Sequence, residues 1–186
     1  MKRIAGILLI VCCLAGCANK NTQPDAAMEL RKRLLEAQTC SFDATVTADY
    51  GDSLYEFTLS CEADNAGTLK FTVVSPESIS GITGEISESS AALTFNDTVL
   101  AFPLLADGQM SPVAAPWVFL KALRGGYLSG CGKTDDGFLI SVDDSYEEDP
   151  LHLEVYTDIQ VTPVTAEIYW QQQCVLTMRI QNFRFQ

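Results

Sequence analysis

Apolar and polar residues alternate along most of the chain after its first forty residues. Between Cys40 and Tyr50 the even positions are apolar, and between Tyr55 and Ala63 the apolar residues fall on the odd positions. A period of two is typical of a β-strand with one dry face and one wet face. Further runs of this kind predict a sheet of about ten strands, with later members near residues 69–73, 79–86, 91–95, 99–102, 138–142, 151–155, 164–170 and 174–180.

Short connections join these predicted strands, so we expect neighbouring strands to pair antiparallel. Connections of this length exclude the long crossovers that parallel strands need. The segment 49–52 predicts a tight turn between the first two strands. In that hairpin we expect facing residues to have numbers that sum to 101, so that Cys40 opposes Cys61. In the last strand the apolar positions change phase to Phe183 and Phe185. This change predicts a β-bulge or cover on both faces of the sheet.

Two segments have helical spacing instead. Segment 24–38 carries an apolar stripe with charged residues on the remaining faces. Segment 111–124 has Trp117 and Leu120 on one side, and its helix should begin near Pro116 because proline is tolerated only in a first turn. Together these elements predict an α+β fold: a strongly curved antiparallel sheet, open as a half-barrel, with helices covering its concave face. A sheet this large must curl, and curling leaves an apolar space that suits small hydrophobic ligands.

The first residues have the pattern of an export signal. Lys2 and Arg3 precede an uncharged stretch that is too short to cross a bilayer as a helix. It ends at Leu14-Ala15-Gly16-Cys17, which resembles the lipobox of bacterial lipoproteins. The resemblance implies that the chain is cut before Cys17 and that Cys17 carries acyl chains such as palmitate. We therefore expect a lipoprotein signal peptide at 1–16, a lipidated tether at 17–25 and one domain at 26–186; the alternative is an uncleaved hydrophobic anchor with an incidental cysteine.

Composition removes several classes of function. The 186 residues include 24 acidic and 12 basic side chains, which gives a net charge of −12. Such a surface repels nucleic-acid phosphates. His152 is the single histidine, so neither a two-histidine zinc site nor a histidine-based hydrolase triad is expected without it. We expect no enzyme activity, no cofactor, no metal site and no nucleic-acid partner.

Seven cysteines are present, and three of them lie in or next to the signal segment. In an exported chain, an even number of remaining cysteines favours disulfides. Three pairings are open; the predicted hairpin favours Cys40 with Cys61 and leaves Cys131 with Cys174. The alternative is four free thiols, because unpaired cysteine is among the most buried residue types.

The order of elements resembles the lipoprotein-carrier family with the LolA/LolB-like fold, over about residues 30–186. The resemblance is carried by the leading helix at 30–35, the first-strand pattern at 42–46, the run at 69–76 and the proline-bearing helix around Trp117. It implies that domain 26–186 is a half-barrel that carries acyl chains between its sheet and its helices. The candidate wall residues are then Phe42, Phe57, Leu59, Phe71, Trp117 and Leu120, unless these side chains only fill an ordinary core.

Two functions follow from this interpretation. The first is a membrane-anchored cell-envelope lipoprotein, on the outer face or the periplasmic side, that binds an acyl chain or another hydrophobic small molecule without catalysis. The second is a protein-interaction module that recruits or regulates an envelope enzyme such as a cell-wall amidase, because spore-germination lipoproteins have a similar layout. For both functions we expect export and a membrane contact through the lipid anchor at Cys17.

Overall fold

The computed structural model describes residues 24–49, 54–95, 98–102, 105–106 and 109–186. The predicted signal peptide, Cys17 and most of the predicted turn at 49–52 lie outside the described residues. The α-helices within these described ranges are α1 (Pro24–Glu36) and α2 (Ala115–Gly125), and 3-10 turns lie at Glu77–Ile79 and Pro112–Ala114. The strands are β1 (Thr39–Asp49), β2 (Leu54–Asp64), β3 (Leu69–Ser75), β4 (Thr83–Ile86), β5 (Ala91–Phe95), β6 (Thr98–Ala101), β7 (Leu105–Ala106), β8 (Gln109–Met110), β9 (Tyr127–Lys133), β10 (Gly137–Asp143), β11 (His152–Asp158), β12 (Pro163–Trp170) and β13 (Gln173–Phe185).

Eleven of these strands form one antiparallel sheet. Its order is β6-β5-β4-β3-β2-β1-β13-β12-β11-β10-β9, while β7 and β8 form a separate two-stranded hairpin. The sheet consists of two meanders that meet where the first strand pairs with the last. It is not closed: within the described part of the chain, β6 and β9 each pair on one side only. The predicted large, open antiparallel sheet is confirmed, with eleven strands instead of about ten.

The predicted register of the first hairpin is wrong by two residues. Cys40 faces Ala63, and Cys61 faces Phe42, so facing residues have numbers that sum to 103. The reason is the length of the connection: Asp49 pairs with Leu54, which leaves four residues between the strands where a tighter turn was expected. A shift of two preserves the alternation, and the apolar residues therefore still share one face.

Sequence patterning also missed β9. Its residues Gly130 and Gly132 carry no side chain to mark a buried face, so the alternation is absent there. A second difference lies at 79–86, where only Thr83–Ile86 forms a strand and the preceding residues include the 3-10 turn.

The phase change near the C-terminus is a β-bulge, as predicted. The pairing of β1 with β13 slips between Ser41 and Asp43, and Asn182 has the left-handed backbone angle φ 54°. The bulge turns Phe183 onto the core face, where its ring stacks on that of Phe42 at a centroid distance of 5.1 Å. Asn182 Nδ2 donates a hydrogen bond to the Asp43 carboxylate at 2.7 Å.

Both helices pack on the apolar face of the sheet. Leu30 and Leu34 of α1 and Phe119 of α2 are completely buried, and they belong to one hydrophobic cluster with the apolar residues of the strands. The two helices are joined by Arg31, whose Nε and Nη2 atoms donate to the carbonyls of Leu123 and Gly126 at 2.6 and 2.7 Å. These carbonyls at the end of α2 have no intrahelical partner, so Arg31 acts as a C-terminal cap from the neighbouring helix.

Cover of the apolar face is uneven across the sheet. One row of facing residues runs from Val46 through Met178, Ala166, Val155 and Ile140 toward β9, and all five are fully buried.

The row of facing residues that runs from β1 in the other direction, toward β6, ends in an exposed residue. It runs through Phe42, Cys61, Phe71, Gly84, Leu93 and Leu100 from β1 to β6. Phe71 is 3% exposed, whereas Leu100 is 60% exposed. The apolar face is therefore buried at the centre of the sheet and toward β9, and it becomes exposed at Leu100 on the edge strand β6.

Candidate functional site

The six predicted wall residues lie together in or against the main hydrophobic cluster. Five of them are buried, and Phe57 is half-buried against the others. Phe42 makes an edge-to-face contact with Phe119 of α2 at a centroid distance of 6.1 Å, and the ring of Phe71 lies over Gly84 on the next strand. Phe42 thus packs against α2, and Phe57, Leu59 and Phe71 lie in or against the same cluster. Trp117 and Leu120 line an open cleft.

This cleft has a volume of about 340 Å³, which lies in the range of small-molecule sites. It is bounded by α2, by the connection between β2 and β3, and by Leu35 of α1. Its lining is formed by Leu35, Ala63, Asn65, Ala66, Gly67, Thr68, Leu69, Glu88, Trp117, Leu120, Lys121, Arg124 and Gly125. We call it the helix cleft.

The local sequence of α2 explains what faces the cleft. Residues 117, 120, 121 and 124 follow the spacing of three and four that places side chains on one side of a helix. The indole Nε1 of Trp117 donates to the carbonyl of Gly67 at 3.0 Å, which holds α2 against the turn between β2 and β3. Gly67 has φ 91°, a backbone angle that favours glycine. The helix and the turn therefore fix the width of the cleft between them.

Two cations accompany the apolar residues of the helix cleft. Lys121 Nζ lies 5.2 Å from the centre of the Trp117 ring, which is within cation–π distance. Arg124 Nε is buried and has no hydrogen-bond partner among the described residues. Sequence reasoning missed both cations; the signal available was their spacing of four and seven residues after Trp117. The site thus combines an apolar floor with positive charge in a strongly acidic protein.

The four domain cysteines are free thiols, and the strand positions correct the predicted pairings. Cys40 and Cys61 do not face each other; they are diagonal neighbours on the apolar face. Burial raises the pKa of the Cys61 thiol far above its ordinary value, so this side chain is neutral and unreactive in the folded protein.

The second pairing is also wrong. Cys131 on β9 and Cys174 on β13 are four strand spacings apart, about 19 Å along the sheet at 4.8 Å each. A disulfide requires Cα atoms within about 7 Å of each other. Their side chains also differ in face: Cys131 packs against the core cluster, whereas Cys174 Sγ contacts Thr177 Oγ1 at 3.7 Å on the other face.

A second cleft of about 570 Å³ lies on the opposite face of the sheet near β11 and β12. His152 Nδ1 and Asp143 Oδ1 are 2.6 Å apart there. Tyr169 donates a hydrogen bond to Glu167 at 2.6 Å, and this bond together with burial raises the pKa of the Tyr169 hydroxyl. His152 lies away from the buried side of β11, as its alternation with Leu151 and Leu153 predicts. Across the described ranges no group of three metal-ligating side chains comes together.

Solved structures with a similar arrangement include a lipoprotein and a lipoprotein-sorting protein domain. An outer membrane lipoprotein-sorting protein domain from Vibrio parahaemolyticus is 10% identical, covers 91% of this chain and 94% of its own, and has a TM-score of 0.47. A LolA superfamily protein from Nitrosomonas europaea is 8% identical over 86% and 93% of the two chains, with a TM-score of 0.44. The Mycobacterium tuberculosis lipoprotein LppX is 12% identical over 86% and 94%, with a TM-score of 0.40.

LolA superfamily proteins are thus among the solved structures similar to this chain, as its element order led us to expect. No family model matches the sequence, and no curated protein matches it. Among the helices in the described ranges, none combines the length and the apolar character that a membrane crossing requires.

Proposed function

We propose that the protein is a non-catalytic lipoprotein of the cell envelope that binds an acyl chain or a similar apolar molecule in the helix cleft. The observation that carries this proposal is the lining of that cleft. Trp117, Leu120 and Leu69 line the cleft and belong to the buried core, whereas Leu35 at its rim is 58% exposed. An apolar ligand would remove the exposed side chain of Leu35 from water, which contributes about 25 cal/mol per Å² of apolar area.

The dimensions of the fold support the same proposal. At about 1.5 Å per residue, α1 and α2 are about 20 and 17 Å long, whereas eleven strands at about 4.8 Å spacing span about 48 Å. Two helices of this size do not cover the whole apolar face. We propose that the sheet curves around them, so that the apolar face is concave and the helices form a partial roof. Phe42, Phe57, Leu59 and Phe71 would then lie along the deeper wall beyond the cleft.

Nitroxide quenching tests the ligand site directly, because the chain has only two tryptophans. Trp117 lines the helix cleft, whereas Trp170 lines the cleft on the opposite face. We expect nitroxide-labelled stearic acid to quench the fluorescence of a Trp170→Phe variant, since Trp117 touches the ligand. The matched Trp117→Phe variant should keep its Trp170 fluorescence at the same ligand concentration. Absence of quenching in both variants would argue against an acyl-chain site in this protein.

Anchoring through Cys17 is the second part of the proposal. The thioether of a lipoprotein forms on the cysteine sulfur, so a Cys17→Ser variant expressed in its host should move from the membrane to the soluble fraction. Cys13→Ser is the matched control and should stay with the membrane. Retention of Cys17→Ser in the membrane would contradict the anchor and favour an uncleaved hydrophobic segment. Immunoblotting of the two fractions is sufficient to measure this.

One observation favours a protein partner as the second candidate function. All four residues of β6 are exposed, and Val99 and Leu100 are apolar residues on this edge strand, 66% and 60% exposed. An edge strand can pair with an extended segment of another chain. A photocrosslinking residue at Val99 should then capture one envelope protein such as a cell-wall amidase, whereas the same residue at exposed Ile159 should not. Equal, unspecific labelling at both positions would remove this candidate.

A further inference from the structure

The helix cleft contains two basic side chains in addition to its apolar lining. Lys121 and Arg124 both line it, and among the described residues of its lining Glu88 is the only acidic one. Lys121 and Arg124 lie within 4.0 Å of no carboxylate among the described residues. The whole chain carries twice as many acidic as basic residues, whereas the described lining of this cleft has two basic side chains and one acidic side chain.

The arginines of α1 show how this fold satisfies a guanidinium when its role is structural. Arg31 donates to the backbone at the end of α2. Arg33 donates to the carbonyl of Gln160 at 3.0 Å and lies over the ring of Phe185 at 4.1 Å. Arg124 differs from both, because its Nε is buried without any partner. A buried donor without an acceptor is unfavourable, and a ligand oxygen would remove that deficit.

The position of Arg124 relative to the core also matters. Burial raises the pKa of the Cys40 thiol, and the charge of Arg124 is the strongest influence in the opposite direction. Arg124 lines the helix cleft, and its Nε is shielded from solvent. Lys121 lies one turn earlier on α2, above the ring of Trp117. An anion held between them would have the apolar surface of Trp117 and Leu120 directly beside it.

We propose that the helix cleft binds an amphiphile with an anionic group, which Arg124 and Lys121 hold while the apolar chain lies on Trp117, Leu120 and Leu35. A carboxylate or phosphate suits this pair, because a guanidinium binds either through two parallel N–H groups. This inference rests on the proposed function and adds the chemical class of the ligand. The charges of Arg124 and Lys121 then determine which ligands bind, and contact with the apolar chain supplies the affinity.

The test compares two ligands that differ only in charge. Dodecanoate and 1-dodecanol are titrated into the full-length protein at pH 8, and each displaces nitroxide-labelled stearate from Trp117. We expect dodecanoate to bind about tenfold or more tightly than dodecanol. In Arg124→Met this preference should fall to about twofold or less. Arg179→Met, an exposed site on β13, removes the same charge elsewhere and should keep the preference.

The other possible results distinguish failure of the anion site from failure of the acyl-chain function. Equal binding of the two ligands by the unsubstituted protein would overturn the anion site but leave the acyl-chain function standing. Binding of neither would overturn the proposed function itself. An undiminished preference in Arg124→Met would also overturn the inference, and Lys121→Met serves as the second variant if Arg124→Met does not fold. Inorganic phosphate alone should not displace the stearate probe at millimolar concentration; displacement would indicate a site for free anions.

Discussion

Replacing Phe119 with alanine is expected to lower the free energy of unfolding by about 3–5 kcal/mol, the usual cost of removing a large buried aromatic side chain. Phe119 has no exposed surface, and it touches Phe42 of the sheet from the middle of α2. The substitution therefore opens a cavity where the helix meets the sheet. Urea unfolding followed by circular dichroism measures the change.

Phe95→Ala is the matched control for this prediction. Phe95 is 51% exposed at the end of β5, so the same chemical change should cost less than about 1 kcal/mol. If both variants lost the same stability, or if Phe119→Ala lost almost none, α2 would not be packed on the sheet as described.

The second large effect concerns two neighbouring leucines of α1. Leu34 is fully buried, whereas Leu35 is 58% exposed at the rim of the helix cleft. We expect Leu34→Ala to lower the free energy of unfolding by about 2–5 kcal/mol. Leu35→Ala should change stability by no more than about 0.5 kcal/mol, because little of its surface is buried in the ligand-free protein.

Leu35→Ala should leave stability almost unchanged, but it should weaken ligand binding. Removing its side chain from contact with an acyl chain should weaken binding about fourfold, the effect of one buried methylene. Displacement of nitroxide-labelled stearate measures this on folded Leu35→Ala protein. An unchanged affinity in that variant would place the ligand away from α1. Because one position reports stability and the next reports binding, the pair separates the core from the site.

The strands were predictable where alternation was regular. In β1 the apolar residues from Cys40 to Ala48 are all fully buried or nearly so, as their period of two indicates. The same reasoning failed at β9, where glycines replace the side chains that would mark a face. It also misplaced the register of the first hairpin, since the length of a loop is not encoded in the alternation of its flanking strands.

The helix cleft was only partly predictable for a different reason. Trp117 and Leu120 are apolar residues on one side of a helix, so their inward position follows from spacing. Their role at an opening depends on the contact of Trp117 with Gly67, fifty residues away along the chain. The lack of a partner at Arg124 likewise depends on which strands and turns surround it. Neither feature can be derived from local sequence patterns.

The disulfide predictions were wrong because of the order of the strands in the sheet. An even number of cysteines and an export signal are compatible with bridges, but the order of strands separates Cys131 from Cys174 and places them on different faces. Pairing by elimination ignored the distance across the sheet. The thiols at Cys40 and Cys61 instead serve as small apolar side chains within the core, which is common for unpaired cysteine.

Native mass spectrometry of the full-length protein, extracted from its own membrane in mild detergent, shows directly whether the helix cleft holds a ligand. We expect one non-covalently bound acidic lipid or fatty acid per chain, which collisional activation releases as an anion while the covalent acyl chains at Cys17 remain. Protein that arrives without any such ligand, and that takes up no added dodecanoate, would mean that the helix cleft is not an acyl-chain site.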